Sequence, residues 1–251
     1  MDIKNLLETI KKVKESSKMN FAQTYDLVIN LKDLDLKKPE HQVDFYATLH
    51  NSTGKTRKIC ALVGAELNAQ AKEVCDFAII SDDFDTVAKD KKAFKKLSNE
   101  HDFFIAQATV MPKIATAFGK ILGPKGKMPN PKAGCVVPPN ANLKPLVEKL
   151  KKTVKINAKT VPMIQIGIGK QDMADEEVAD NIKTVYDQIV HHMPAEKNNI
   201  ARILLKLTMG KHVKLDDAGK IIESENQEEP EEGKEEKKPK EKKEPTKEKS
   251  E

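Results

Sequence analysis

Apolar residues at positions 3, 6, 7, 10 and 13 recur at the spacing of one helical face, so residues 3–13 read as an amphipathic helix that breaks at Ser16 and Ser17. Residues 24–31 and 43–49 follow as strands. The second alternates Val43, Phe45, Ala47 and Leu49, and a segment rich in Asp and Lys around Pro39 joins the two. After Lys58 the rhythm changes. Short apolar runs at 59–63, 77–80 and 103–106 alternate with helical patterns at 65–74, 82–97 and 112–122, and Leu143, Leu146, Val147 and Leu150 mark one more helical face. Alternating strand and helix predict a parallel sheet covered by helices, so residues 59–152 read as an inserted Rossmann-like domain. Beyond Lys152 the character reverts, with strands at 154–156, 163–168, 200–207 and 213–215 and an amphipathic helix at 176–190.

Charge sharpens this division. The formal net charge is +5, but residues 224–251 hold eight Lys and eleven Glu, a net of −3, which leaves +8 on residues 1–223. A basic body tilts toward polyanions through counterion release. The tail has no apolar residue after Ile222 and cannot offset its own ordering entropy by burial, so residues 224–251 are expected to be a disordered, solvating extension. With no Trp and three Tyr, the chain is poorly equipped to stack single-stranded bases, which favours a folded RNA among nucleic-acid targets.

Other chemistry recedes. Cys60, Cys75 and Cys135 stand at unrelated spacings with no C-x-x-C pair and no His at zinc-site distance, so they read as buried or reduced thiols, with no metal and no cofactor expected. The six His residues form no catalytic arrangement. No run approaches eighteen apolar residues and the N-terminus has no apolar h-region, so neither membrane insertion nor secretion is expected.

The most specific stretch is residues 118–134, FGKILGPKGKMPNPKAG, with four Gly, three Pro and four Lys and no acidic residue. Gly opens backbone geometries, Pro restricts them and Lys adds positive charge, which together predict a shaped basic loop suited to phosphate. A Walker cradle is not met, because Gly126-Lys127 is followed by Met128. Gly54-Lys55-Thr56 has the right ending but Leu49 where the first Gly belongs, and reads as a turn between strands. The rival class is a Rossmann-like enzyme with a nucleotide or phosphorylated ligand. It is ranked low because Leu62-Val63-Gly64-Ala65-Glu66 lacks G-x-G-x-x-G and no acid, base and nucleophile set is visible.

Residues 118–134 closely resemble the signature of the ribosomal protein L1 family. Leu207-Thr208-Met209-Gly210 resembles that family's threonine-methionine-glycine turn, and Phe21-x-x-Thr24, entering an apolar run, resembles a third landmark. The resemblance covers roughly residues 1–220. It departs where Cys135 follows Gly134, where the family commonly has an acid near Ala22-Gln23, and where Lys211 follows Gly210. The resemblance implies an α/β two-domain fold. An antiparallel α+β domain is built from both termini, residues 1–58 plus 153–220, and the Rossmann-like parallel domain, 59–152, loops out through two hinge strands.

By the same resemblance, the protein is an archaeal-type, non-enzymatic constituent of the large ribosomal subunit in the cytoplasm, and a monomer outside the ribosome. Its implied partners are the stalk rRNA, deacylated tRNA leaving the E site, and its own mRNA, which it represses. The implied RNA-binding positions are Phe21, Thr24, Gly169, Lys170, Thr208, Met209, Gly210 and Lys211. A Thr hydroxyl suits a ribose 2′-OH, Gly admits close backbone approach, and Phe and Met offer apolar surface. Without the family, Phe21 reads as core and Met209 as a gap filler. Lys120, Gly123, Lys125, Gly126, Lys127, Asn130 and Lys132 are left between two roles, secondary RNA contacts or closure of the two lobes.

Overall fold

The computed structural model describes residues 1–17, 19–38 and 41–222; the expectation for 224–251 lies outside the described residues. Helix α1 (Ile3–Ser16) leads into strand β1 (Thr24–Leu31), which pairs antiparallel with β8 (Met163–Lys170) on one side and β9 (Ile200–Leu207) on the other. Strand β10 (Val213–Leu215) extends this to the order β10-β9-β1-β8. Period-2 alternation decides the faces. Tyr25, Leu27, Ile29 and Leu31 turn inward with Ile164, Ile166, Ile168, Ile203, Leu205 and Leu207, and they bury against Leu6, Ile10 and Val13 of α1 and the apolar stripe of α7 (Asp175–His192). Both helices cover the same face. The other face, carrying Thr24, Asp26, Val28, Gln165, Gly167, Leu204 and Lys206, has no helix over it among the described residues.

Strands β2 (Val43–Thr48) and β7 (Thr153–Ala158) form a separate antiparallel ribbon, Val43 opposite Ala158 and Thr48 opposite Thr153. Its Val43, Phe45 and Ala47 join the core of the terminal unit, while Tyr46 on the other side packs against the central one. Between them lies an all-parallel sheet of β3 (Ile59–Val63), β4 (Phe77–Ile80), β5 (Phe103–Gln107) and β6 (Val136–Val137) in the order β4-β3-β5-β6. Every residue of β3 is buried because both faces are covered, as a parallel sheet requires. Ile59, Ala61 and Val63 meet α2 (Asn68–Val74) and α6 (Leu143–Lys151); Cys60 and Leu62 meet the layer of α3 (Phe84–Lys89), α4 (Lys91–Glu100) and α5 (Met111–Leu122). The expected fold class holds: an antiparallel α+β unit from both termini, with a Rossmann-like parallel unit inserted.

Three details differ from the reading of the sequence. The helix expected over 82–97 is two helices, broken at Asp90, whose backbone (φ −87°, ψ 63°) leaves the helical region. The basic loop is shorter than residues 118–134, because its first five residues belong to the helix read over 112–122. Residues 118–122 complete α5, because Phe118 and Leu122 lie on its buried face while Gly119 has open space where a side chain would stand. Strand β6 was not anticipated, and its two residues between Cys135 and Pro138 are too few to show a period.

Candidate nucleic-acid interface

The register brings three separated segments to one edge of the antiparallel sheet. Tyr25 is opposite Leu207 on one side and Gly169 on the other, so the start of β1 meets the ends of β9 and β8. The Thr208 amide and hydroxyl both donate to the Thr24 carbonyl, at 3.1 and 3.2 Å, and the hydroxyl accepts the Thr24 N–H at 3.3 Å. In this arrangement that hydroxyl has no proton left for a ribose and one lone pair to offer. The Gly210 N–H closes the turn on the Leu207 carbonyl at 2.9 Å. A Cβ at Gly210 would stand 3.0 Å from the Ser17 Cβ, so only Gly fits without moving the end of α1.

Gln23, which is 1% exposed, organises the edge. Its Oε1 accepts the Met209 N–H at 3.0 Å and its Nε2 donates to Ser17 Oγ at 3.0 Å. Its backbone is clamped as well: the carbonyl accepts the Gln171 N–H at 2.8 Å and the amide donates to Gln171 Oε1 at 3.3 Å. The sequence offered only a polar residue at a strand entrance, and the partner that gives Gln23 meaning lies nearly two hundred residues away. The held turn leaves two large apolar side chains in solvent, Phe21 at 55% and Met209 at 65% exposure. Neither fills a core, so the ordinary fates of Phe and Met are set aside here.

Other expected residues are placed differently. Gly169 is buried, and a Cβ there would lie 3.1 Å from Val178 Cγ2, so its lack of a side chain serves the packing of α7. Lys170 is half-buried, its stem beside Gly54, while Lys211 is exposed. Beyond the edge, the uncovered sheet face adds residues the sequence reading left unmarked. Lys206 and Gly167 flank Asp26 in register, and burial raises the Asp26 pKa against the opposing pull of Lys206 and Lys55. The even-numbered positions of β1 and β9 carried the signal for this face.

The Gly/Pro/Lys segment has a different character. Lys125 Nζ donates to the Lys95 carbonyl, Ser98 Oγ and Asn99 Oδ1, and Lys127 Nζ to the Ser98 and His101 carbonyls at 3.0 and 2.6 Å. Two of the four lysines thus cap the C-terminal end of α4, where unpaired carbonyls and the helix dipole favour a cation. Gly123 has no room for a side chain, since a Cβ would be 2.7 Å from the Gly119 carbonyl oxygen, and Gly126 takes φ +63°. Asn130 Oδ1 accepts the Lys132 N–H at 2.9 Å and shapes the turn at Pro131–Ala133, which lies against β2. Lys120 and Lys132 remain exposed. Gly126 faces Lys155 of β7, the Nζ standing 3.3 Å from the missing Cβ, so the segment looks across the cleft between the two units.

The nucleotide alternative meets a filled site. At the end of β3, where a Rossmann fold receives pyrophosphate, Gln107 Oε1 accepts the Gly64 N–H at 2.7 Å, and it would lie 2.8 Å from any Cβ at Gly64. The thiols are inert by burial: Cys60 is pushed up to about 12, Cys75 and Cys135 to about 11. No helix among the described residues is long and apolar enough to cross a membrane, and none of their acidic, Cys and His side chains gather into a metal-holding group.

Comparison with known proteins places the chain among its relatives. The profile of the Ribosomal protein L1p/L10e family matches residues 13–211. Large ribosomal subunit protein uL1 of Methanothermococcus thermolithotrophicus is 43% identical over 211 residues, covering 84% of this chain and 97% of its own length. Its counterpart from Methanobrevibacter smithii is 43% identical over 212 residues, 84% of this chain and 98% of the relative. That of Thermococcus kodakarensis is 38% identical over 217 residues, 86% and 98%. Both the N-terminal edge with its Phe21 and Thr24 and the distant Thr208-Met209-Gly210 turn fall inside the matched span, and the chain belongs to the Ribosomal protein L1p/L10e family, as a member of archaeal type.

Proposed function

We propose that the edge formed by Phe21, Thr24 and the turn at residues 208–210, continued over the uncovered sheet face, grips a structured stalk element of the large-subunit rRNA. At the coarser level, the family makes this chain a non-enzymatic structural component of the large ribosomal subunit, placed with the ribosome in the cytoplasm. The observation that carries the finer reading is a rigid turn holding two apolar side chains in solvent. Phe21 and Met209 gain nothing from exposure in the free protein, and they have apolar surface to offer to sugar and base faces. Lys170, Lys206 and Lys211 supply positive charge around them for phosphates.

The partition that serves this role is proposed as residues 1–58 plus 153–220 for the gripping unit and 59–152 for the inserted one; the separation of their buried cores supports it. The same surface takes an rRNA-like element in the chain's own mRNA, which makes the protein a translational repressor. The inserted unit, joined through the β2–β7 ribbon, meets deacylated tRNA at the E site, with the exposed Lys120 and Lys132 as contacts; outside the ribosome the protein is a monomer. The test is sedimentation. The protein is expected to travel with the large subunit in a sucrose gradient and to be released by Phe21→Ala combined with Met209→Ala. Co-sedimentation unchanged in that variant rejects the assigned surface.

A further inference from the structure

Between the two units lies a cleft of about 330 Å³ that the RNA-gripping reading does not use. Its lining gathers five cations, Lys55, Arg57, Lys125, Lys127 and Lys155, against one carboxylate, Asp102. They converge from three places: the β2–β3 crossing gives Lys55 and Arg57, the segment after α5 gives Lys125 and Lys127, and β7 gives Lys155. The lysines are not equivalent. Lys125 donates to three acceptors and has no N–H left, whereas Lys127 donates to two and keeps one. Arg57 Nη1 donates to the Thr153 carbonyl, and the guanidinium stands 5.5 Å from the centroid of the Phe103 ring, leaving its other N–H groups for a ligand. Lys155 has no side-chain hydrogen bond or ion pair among the described residues, and its ammonium faces Gly126, where any side chain would intrude on the space in front of it. Burial also lowers the Arg57 pKa, opposed by Asp102. Like charges gathered in a partly desolvated cleft repel, so approach of the two units works against this field until an anion occupies the centre.

The geometry points to an anion site in the interlobe cleft that takes a phosphate group, with Lys155, Lys127 and Arg57 as donors from both sides, so that occupancy holds the two units together. The bound group is a tetrahedral phosphate, either in an RNA backbone or in a free oligophosphate. Lys55 links the cleft to the uncovered sheet face, its ammonium 3.5 Å from the Cβ position of Gly167, which gives an RNA on that face a path to the site. The site stands apart from the turn at residues 208–210, so its fate is separable from that of the rRNA grip.

The test titrates the full chain at constant ionic strength, set with chloride, with pyrophosphate in one arm and a ten-nucleotide oligouridylate in the other. Calorimetry reads affinity and small-angle scattering reads the radius of gyration. Saturable binding with a fall in radius is expected, and Lys155→Gln, an exposed strand position, is expected to weaken it about tenfold by removing one charged donor. Thr208→Ala is expected to leave pyrophosphate affinity unchanged. A Lys155 effect in the oligonucleotide arm alone assigns the phosphate to an RNA backbone, and one in the pyrophosphate arm assigns it to a free anion. Equal affinities of wild type and Lys155→Gln in both arms overturn the site, and binding without compaction overturns the coupling to closure.

Discussion

The segment after α5 and the turn after β9 both combine Gly with Lys, yet their polar groups go to opposite uses. After α5, the ammonium groups of Lys125 and Lys127 turn onto the last carbonyls of α4, and the glycines answer tight backbone geometry, Gly123 against Gly119 and Gly126 at positive φ. In the turn at 208–210 the backbone is tied down by Gln23 and Thr24, and the Met209 side chain that reaches solvent is apolar, as is the exposed Phe21 before β1. Charge written in a sequence is therefore not all available to a ligand: Lys125 is fully engaged, and Lys127 keeps a single N–H. A lysine near a helix C-terminus already has a partner, and a quiet Thr-Met-Gly can present more surface to a nucleic acid than a run of cations.

Perturbations that separate the two regions follow in order of expected size. Phe21→Ala with Met209→Ala is expected to weaken stalk rRNA binding roughly a hundredfold, two anchors at about 1–2 kcal/mol each, with little change in melting temperature because both side chains are exposed. Gln23→Ala removes a buried partner of Met209 N–H and Ser17 Oγ. It is expected to lower affinity about tenfold and stability by about 1–3 kcal/mol, read by filter binding and thermal denaturation. Lys127→Ala inverts the pattern: a loss of about 1 kcal/mol in stability from the uncapped end of α4, with rRNA affinity within about threefold of wild type. Lys211→Gln is expected to reduce the slope of log affinity against log salt by about 1, the signature of one phosphate contact. Smallest of all is thiol reactivity. With Cys75 and Cys135 pushed up to about 11, roughly 0.1% of either is thiolate at pH 8, so native labelling is slow and all three thiols react only after unfolding.

Much of the scaffold was legible because its signals are local. The alternation through Val43, Phe45 and Ala47 and the unbroken apolar run of β3 each report which faces are covered, so the switch from antiparallel to parallel architecture showed in the pattern itself. The landmarks Phe21, Thr24 and residues 208–210 were legible by resemblance, and the register brings them together. What stayed hidden depends on distant partners. Gln23 acquires its role from Met209, and Lys125 and Lys127 from carbonyls some thirty residues upstream. Gly169 looked like a place for a nucleotide and is filled by Val178. The helical start of residues 118–134 was legible in the apolar pattern over 112–122, and Gly119 costs that helix little where Phe118 and Leu122 bury on the opposite face.

The central claim, that the apolar turn and not the basic segment holds the rRNA, is tested most directly by filter binding of two variants to one stalk rRNA fragment. One carries Phe21→Ala, Thr208→Ala and Met209→Ala; the other carries Lys→Ala at 120, 125, 127 and 132. The predicted result is loss of specific binding in the first and an affinity within about tenfold of wild type in the second, allowing for weakened phosphate contacts. Retained affinity in the first with binding abolished in the second would contradict the account and exchange the roles of the two regions.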